Sequence, residues 1–467
     1  MTIAIQVLGR PDSFNAATDP IVSIEARKLR QALERYYLSE GRSDAVEISV
    51  PSGTYIPVFC WRPMAHVAAK ERARGSARWN PSLSVSPFNN CTGEEAMDSL
   101  CHGLTDEVVV GLTRFREISV MTGSGAGVGV RMEKLSGIVS GNVRMVGNRI
   151  KVGVQLEDAS SGVCVWADHF VEERSRNLHS VIEEQIGRQI VARVGGEHGA
   201  VNRFLVPGMW VREALGDTTS YEAMIAYHQF DRQRTVGSLN EVSPLLHHAV
   251  GRDPANATLK AMLASTKIFT FAMGHSDEVS SLESALDLAT AAVRLEPGNQ
   301  FCLETQAWIL FHLGDLHLAL EHLRSAYLIN PNAAYRVAII GWDMMLCGAW
   351  EEGRMLLESA MELNPANPSW LWFAICFDEF RQARYEGALA ETARPDLPLS
   401  FWVTLMQVAA LGKLGRCSEA VSPAAELLKR SPEFHTKGRT LIARLIKERA
   451  LFDAIVAGLL EGGIRID

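Results

Sequence analysis

The segment Leu295-Glu-Pro-Gly-Asn299 recurs as Ile329-Asn-Pro-Asn332 and again as Leu363-Asn-Pro-Ala-Asn367. Its proline belongs to a series spaced by 34, 34, 33 and 34 residues, which consists of Pro297, Pro331, Pro365, Pro398 and Pro432. A constant period near 34 residues is typical of a solenoid built from pairs of antiparallel helices. The sequence therefore predicts a helical repeat array over the C-terminal half of the chain.

Small residues stand where the two helices of each unit must approach closely. They are Ala307, Ala319 and Ala326, then Gly341 and Ala360, then Ala409 and Ala420. Gly314, Gly348 and Gly415 follow the first helix of their units, where a left-handed residue ends a helix most easily. These features resemble the tetratricopeptide repeat family in five units over residues 266–432, with an imperfect further unit before them. The resemblance implies a platform that binds other proteins and has no chemistry of its own.

The first helix of each unit lines the concave groove in that family. Spacings of three and four residues place each set of candidates on one helix face. The predicted groove residues are Phe301, Glu304, Trp308 and Phe311; Tyr335, Ala338, Trp342 and Met345; Leu371, Ile375 and Asp378; and Trp402 and Leu405. Because most are aromatic or aliphatic, we expect the groove to bind an apolar or amphipathic helix, of a partner or of this chain itself. Ordinary packing between repeats is the alternative, and Trp370 matches the family's core tryptophan.

The first 62 residues combine a helical pattern with a β-hairpin pattern. Apolar Ile24, Leu29 and Leu33 favour a helix, and Gly53 separates two short β-rich runs. This order resembles the C-terminal half of the OmpR-type winged-helix DNA-binding domain. The resemblance implies DNA contact by the basic helix face, which consists of Arg27, Lys28, Gln31 and Arg35. A basic helix face that is merely solvated is the alternative.

The winged-helix family places further helices before its recognition helix, whereas the helix predicted here begins near residue 21. A start upstream of Met1 and a remnant that no longer binds DNA therefore both stay open. Residues 63–80 hold four basic residues among Ala, Gly and Ser, and we expect them to form a linker.

Residues 81–200 alternate between strand and helix patterns. The motifs Leu83-x-Val-x-Pro-Phe88, Gly103-Leu-Thr-Asp-Glu107, Gly141-Asn-Val-Arg144 and Trp166-Ala-Asp168 resemble the TolB-N-terminal-like domain of bacterial proteins that also carry these repeats. Some of those proteins have a catalytic adenylate cyclase domain and are named for it. The stretch Gly123–Gly129 lacks the G-x-G-x-x-G spacing and the Gly-Lys-Ser/Thr of phosphate loops, so we predict a connector there.

Composition favours a soluble chain of two to four domains, with 467 residues, 47% hydrophobic, 21% charged and a net charge of −8. Eight cysteines form no C-x-x-C pair, which predicts free thiols in a reducing compartment. No signal-peptide pattern appears at the start, and Arg336 and Asp343 interrupt the most apolar window. We therefore expect a cytoplasmic protein without a membrane span.

We also expect no catalytic residue, cofactor or metal site. The candidate residues have capping, turn or surface patterns, and they are Thr105–Glu107, Asp158, Asp168 and His247-His248.

The predicted fold is multidomain, with an α/β (or α+β) N-terminal half and an all-α solenoid in the C-terminal half. The segments are 1–62 (winged-helix-like), 63–80 (linker), 81–200 (α/β domain), 201–219 (linker), 220–436 (repeats) and 437–467 (capping helices). The functional hypothesis is a non-enzymatic cytoplasmic scaffold that binds a protein through its groove and contacts DNA in transcriptional regulation. The alternative is an adenylate cyclase or a cyclase-associated signalling protein, which needs paired metal-binding carboxylates that the sequence does not reveal.

Overall fold

The computed structural model describes residues 5–8, 10–11, 21–38, 46–50, 57–61, 81–122, 135–173, 179–205, 218–274, 280–394 and 401–467. The predicted basic linker, the stretch Gly123–Gly129 and most of the predicted 201–219 linker lie outside these residues. The chain divides into two compact units, Met1–Trp79 and Asn80–Asp467.

The first unit contains helix α1 (Ile21–Leu38) and strands β1 (Val46–Ser49) and β2 (Val58–Trp61). The two strands pair in antiparallel register, so that Val46 lies opposite Trp61. A helix followed by a hairpin is the order that the sequence predicts. The turn proposed around Gly53 lies outside the described residues.

The second unit begins with a mixed sheet in the order β5-β3-β6-β7-β8. Its strands are β3 (Ser82–Val85), β4 (Asn89–Asn90), β5 (Ser119–Thr122), β6 (Gly137–Val146), β7 (Arg149–Asp158) and β8 (Cys164–Glu173). Strand β3 runs parallel to β5 and β6, whereas β6, β7 and β8 form successive antiparallel pairs, and β4 pairs with β6. Alternation along β6 and β7 buries every second residue, including Val139 and Val152, which places one face of the sheet in the core.

Two helices, α2 (Asp98–Thr113) and α3 (His179–Val194), pack against each other beside this sheet. Leu104 and Val108 of α2 and Ile186 of α3 are fully buried in the same cluster as the inward-facing strand residues. The apolar stripes that the sequence shows on both helices therefore form the core of the α/β layer.

Six helix pairs follow among the described residues, and we number them repeats 1 to 6. The pairs are α4 (Thr218–Gln233) with α5 (Val236–Arg252), α6 (Ala257–Ala272) with α7 (Ser280–Leu295), α8 (Gln300–Leu313) with α9 (Leu316–Ile329), α10 (Ala334–Leu346) with α11 (Trp350–Leu363), α12 (Phe373–Arg381) with α13 (Tyr385–Glu391), and α14 (Phe401–Lys413) with α15 (Cys417–Arg430). Helices α16 (Phe434–Leu445) and α17 (Arg449–Glu461) end the chain. The predicted fold class, a mixed α/β half followed by a helical solenoid, is confirmed.

The small residues predicted at close helix contacts lie where the backbones meet. A Cβ atom on Gly341 of α10 would come within 2.5 Å of the Gly353 carbonyl oxygen on α11. The predicted left-handed turns are also present, with φ of +92° at Gly314, +97° at Gly348 and +70° at Gly415. These local features explain why the repeat period is visible in the sequence.

The turns between repeats contact the α/β domain within the second unit. Arg116 pairs with Glu296 at 3.2 Å, and Arg188 donates to the side-chain oxygen of Asn332 at 3.2 Å. One repeat further on, Arg193 donates to the Leu363 carbonyl at 3.3 Å. The recurrent proline-containing turns therefore form the edge of the array to which the α/β domain binds.

Candidate protein-binding groove of the helical repeats

The structure buries most of the residues that the sequence assigns to the groove. The first helices of repeats 1 to 5 contact one another in succession. Among the predicted groove residues, Trp308 and Trp342 are half-buried and the others are less than one tenth exposed. The buried ones are Phe301, Glu304, Phe311, Tyr335, Ala338, Met345, Leu371, Ile375, Asp378, Trp402 and Leu405. Other parts of this chain therefore cover most of the predicted surface.

Repeat 1 covers the beginning of repeat 4. The Tyr335 hydroxyl donates to Oδ2 of Asp231 at 2.6 Å, and Arg234 forms an ion pair with the same carboxylate at 2.7 Å. The Arg234 guanidinium also lies 4.2 Å from the ring centroid of Trp370, which is half-buried. The end of α4 thus lies against the starts of two later repeats.

A buried arginine joins the α/β domain to repeats 3 and 4. Arg336 donates to Oε1 of Glu197 at 2.6 Å and to Oε2 of Glu304 at 2.8 Å. Its guanidinium lies 4.2 Å from the ring centroid of Phe301. Glu304 and Phe301 therefore already serve as partners of Arg336. This ion-pair network was not predicted, and its only sequence signal is that Arg336 interrupts an apolar window.

Burial shifts the pKa values of groups around this network. Burial alone raises the pKa of Asp231, but Arg234, Arg336 and the Tyr335 hydrogen bond outweigh it and lower the value to about 2. Burial lowers the pKa of His198, whose ring lies 4.4 Å from that of Tyr335, to about 4. At neutral pH Asp231 is therefore ionised and His198 is neutral.

Asp343 lies in the middle of α10 and is almost fully buried. Its Oδ2 atom has no hydrogen-bond partner among the described residues. Burial, reinforced by the nearby Glu304, raises the pKa of Asp343 well above its ordinary 3.8. Its carboxyl group is therefore favoured in the protonated form, which removes the cost of burying an unpaired charge.

The C-terminal helices cover the other end of the first helices. Arg444 donates to the Phe271 carbonyl at 2.6 Å, and Nζ of Lys447 lies 5.2 Å from the ring centroid of Phe311. Oε2 of Glu448 accepts a 2.7 Å hydrogen bond from the indole nitrogen of Trp350. The C-terminal end of α16 and the residues that follow it therefore reach repeats 2, 3 and 4.

Trp308 and Trp342 keep part of their surface open. Trp308 stacks on Phe311 with a centroid separation of 5.0 Å and an interplanar angle of 4°. Trp342 lies edge-on to Trp370 at 5.9 Å and to Phe377 at 6.1 Å. These two indoles are the part of the predicted groove set that solvent still reaches.

The predicted DNA-contacting residues lie on α1 in the first unit. Lys28 is exposed and forms an ion pair with Glu25 at 2.8 Å. The side chains of Arg27, Gln31 and Arg35 lie outside the described residues. DNA contact by this helix stays a prediction.

Polar residues in the α/β motifs have structural partners. Thr105 accepts a hydrogen bond from the Phe88 amide at 3.0 Å and donates to the Cys101 carbonyl at 2.8 Å. Asp158 accepts hydrogen bonds from the amides of its own turn, and Asp168 pairs with Arg193 of α3.

Across the described ranges, no three His, Cys, Asp or Glu side chains are grouped so as to hold a metal ion. Within the same ranges, no helix is long and apolar enough to cross a membrane.

Comparison with known proteins gives distant similarities. No family model matches the chain. It is 25% identical over 265 residues to a protein of Rhizobium meliloti (strain 1021) named putative adenylate cyclase 3, and the match covers 53% of this chain and 43% of that protein. The chain thus spans less than half the length of this relative.

Two solved structures are also similar to parts of the chain. A tetratricopeptide repeat protein from Parabacteroides merdae is 16% identical with a TM-score of 0.30, and the match covers 53% of this chain and 99% of that one. TolB from Acinetobacter baumannii is 16% identical with a TM-score of 0.18, and the match covers 24% of this chain and 27% of that one.

Proposed function

We propose that this protein is a cytoplasmic scaffold whose helical repeats bind an apolar or amphipathic helix of a partner protein. The observation that supports this proposal is that the predicted groove residues already pack against helices of the same chain. Ile442, Leu445 and Ile455 of α16 and α17 belong to the same apolar cluster as Phe311 and Trp402. A surface that packs against amphipathic helices in one chain has the apolar lining that a partner's helix needs.

The test is the double substitution Trp308→Ala with Trp342→Ala. Both indoles are partly open to solvent, so a binding role predicts that capture of a helical partner is lost while the melting temperature changes little. Met355→Ala with Val421→Ala is the matched control, because these exposed apolar side chains lie on second helices of the repeats. A fall of many degrees in the melting temperature of the tryptophan variant would instead assign both side chains to the core.

A second part of the proposal is that α1 contacts DNA in transcriptional regulation. It is supported by the order of a helix with exposed Lys28 and an antiparallel hairpin in the first unit. In this proposal the N-terminal unit binds DNA while the repeats recruit the partner protein.

An adenylate cyclase, or a cyclase-associated signalling protein, is the alternative. This alternative is suggested by the name of the Rhizobium meliloti relative, putative adenylate cyclase 3. The decisive measurement is formation of cyclic AMP by purified protein supplied with ATP and Mg²⁺ or Mn²⁺. The scaffold proposal expects no product above a heat-inactivated control, and sustained turnover would replace it with an enzymatic function.

A further inference from the structure

Several of the predicted groove residues are too deeply buried for a partner helix to reach. Phe311 and Met345 have no exposed surface, and Trp402 is 3% exposed. A partner helix cannot contact these side chains unless the segments that cover them move, and Lys447 of one such segment lies over Phe311. That segment, Phe434–Glu461, consists of α16, α17 and the three residues between them, and we call it the C-terminal cover.

The C-terminal cover is attached in two different ways. Helix α17 packs closely on α14, where a Cβ atom on Gly412 would come within 2.0 Å of the Gly458 carbonyl oxygen. Fully buried Ile455 and Leu459 make this contact apolar. This close packing, together with the Lys413–Glu461 ion pair at 2.7 Å, makes α17 the permanent end of the array.

Helix α16 is attached by buried apolar side chains, including Phe434, Ile442 and Leu445, and by polar side chains at and just after its C-terminal end, which we call the clasp. Arg444, Lys447 and Glu448 reach Phe271, Phe311 and Trp350 respectively, in three successive repeats. Leu441 of α16 adds an apolar contact with Gly274, which follows the end of helix α6 in repeat 2. Opening the clasp removes the polar contacts of α16, and its apolar contacts are ones that a competing amphipathic helix can replace while α17 stays in place.

Lys447 of the clasp lies in surroundings that disfavour its positive charge. Burial and the neighbouring Arg444 lower the pKa of Lys447 below its ordinary value. Its ammonium donates to the Ala443 carbonyl at 3.0 Å and lies over the Phe311 ring, so the charge is only partly compensated. Exposure to water would relieve this cost, which favours release when another helix covers the apolar residues.

We propose that the C-terminal cover is an autoinhibitory element, and that the partner helix competes with α16 and the clasp for the groove; this inference rests on the proposed function. The partner that fits has the chemistry of the segment it displaces. It is an amphipathic helix with an apolar face followed by a basic residue that lies over Phe311 and an acidic residue that accepts from Trp350.

The experiment compares the full-length wild-type protein with Arg444→Ala plus Glu448→Ala, which removes the clasp hydrogen bonds to Phe271 and Trp350 and so opens the clasp. The probe is a fluorescein-labelled synthetic peptide with the sequence of residues 434–448, which covers α16 and the clasp but not α17. We expect at least tenfold tighter peptide binding by the opened protein, together with faster amide hydrogen exchange in α16 and unchanged exchange in α17. Arg449→Ala plus Asp453→Ala is the matched control, because this neighbouring pair is largely exposed and lies outside the clasp.

Equal peptide affinity of the opened and wild-type proteins, or unchanged exchange in α16, would overturn the proposal. Glu448→Ala alone is the second variant, since it removes only the acceptor of the Trp350 indole N–H and should shift binding in the same direction by a smaller factor. Far-ultraviolet circular dichroism shows that each variant is folded.

Binding of an amphipathic peptide of unrelated sequence distinguishes the autoinhibition proposal from the proposed partner-binding function. Binding of that peptide to wild-type and opened proteins with equal affinity would refute autoinhibition alone. Failure of both proteins to bind it, while the opened protein binds the 434–448 peptide, would refute the binding of partner helices and leave the release of α16 supported.

Discussion

The Tyr335 hydroxyl donates a 2.6 Å hydrogen bond to Asp231, although 104 residues separate them along the chain. Both side chains are buried, so the bond ties repeat 1 to repeat 4 inside the array. Arg234 pairs with the same carboxylate from one side, and Tyr335 satisfies it from the other. The array is therefore held by contacts between distant repeats as well as between neighbours.

Tyr335→Phe should lower the free energy of unfolding by about 1–3 kcal/mol. The reason is that a buried, ionised Asp231 loses one hydrogen-bond donor and regains no water. The midpoint of urea denaturation measures the change. Tyr327→Phe, at a half-buried position on α9, is the control and should shift the midpoint much less. Equal midpoints for Tyr335→Phe and wild type would show that water replaces the hydroxyl.

Arg336→Met should cost about 3–5 kcal/mol, because it leaves Glu197 and Glu304 buried without their cation. Adding Glu197→Gln and Glu304→Gln to Arg336→Met should restore most of the loss, since neutral amides then replace both carboxylates. Arg324→Met breaks an exposed ion pair with Glu352 and should cost under about 1 kcal/mol. If the triple variant is no more stable than Arg336→Met, charge burial is not the cause.

Acid should weaken the fold through histidines that are buried in the neutral form. Burial lowers the pKa of His312 from 6.5 to about 3, so the unfolded chain binds a proton at a higher pH than the folded one. Stability is therefore complete above pH 6.5 and falls as the pH falls toward 3, by up to about 2 kcal/mol between pH 6.5 and 5. His312→Phe should reduce this slope in urea unfolding measured at both pH values. An unchanged slope would assign the acid sensitivity to other groups.

Gly341→Ala should destabilise the protein by about 1–3 kcal/mol, because its methyl group would meet the backbone of α11. Gly251→Ala is the matched control on a helix with nothing within 4 Å of the new Cβ atom. It should be neutral or stabilise by up to about 1 kcal/mol, since alanine favours helix. Thermal unfolding of both variants gives the comparison, and equal melting temperatures would contradict the close contact between α10 and α11.

DNA binding by α1 should depend steeply on salt. Each phosphate contact releases counterions, so a gel shift seen at low salt should weaken as the salt concentration rises. Arg27→Ala plus Lys28→Ala should weaken the shift on all duplex sequences, whereas Lys429→Ala on α15 should leave it unchanged. Absence of a shift at low salt would favour a remnant that no longer binds DNA.

Local interactions made several features predictable from the sequence. The 34-residue period, the left-handed glycines at 314, 348 and 415 and the alternating strands of the α/β domain depend on neighbours within a few residues. Because residues three and four apart share a helix face, the sequence also predicts which side of each first helix carries the groove candidates. Arg336 and Asp343 are visible in the sequence only as interruptions of an apolar window.

The sequence by itself thus determined the fold class, the helix pairs and the side of each helix on which the candidate residues lie. Only the tertiary structure decided that most of this side is covered, by α4 near Tyr335 and by the C-terminal cover near Phe311. The physical reason is that an apolar helix face has the same pattern whether it packs against its own chain or against a partner. Which of these happens depends on where distant segments return, and no local spacing encodes that.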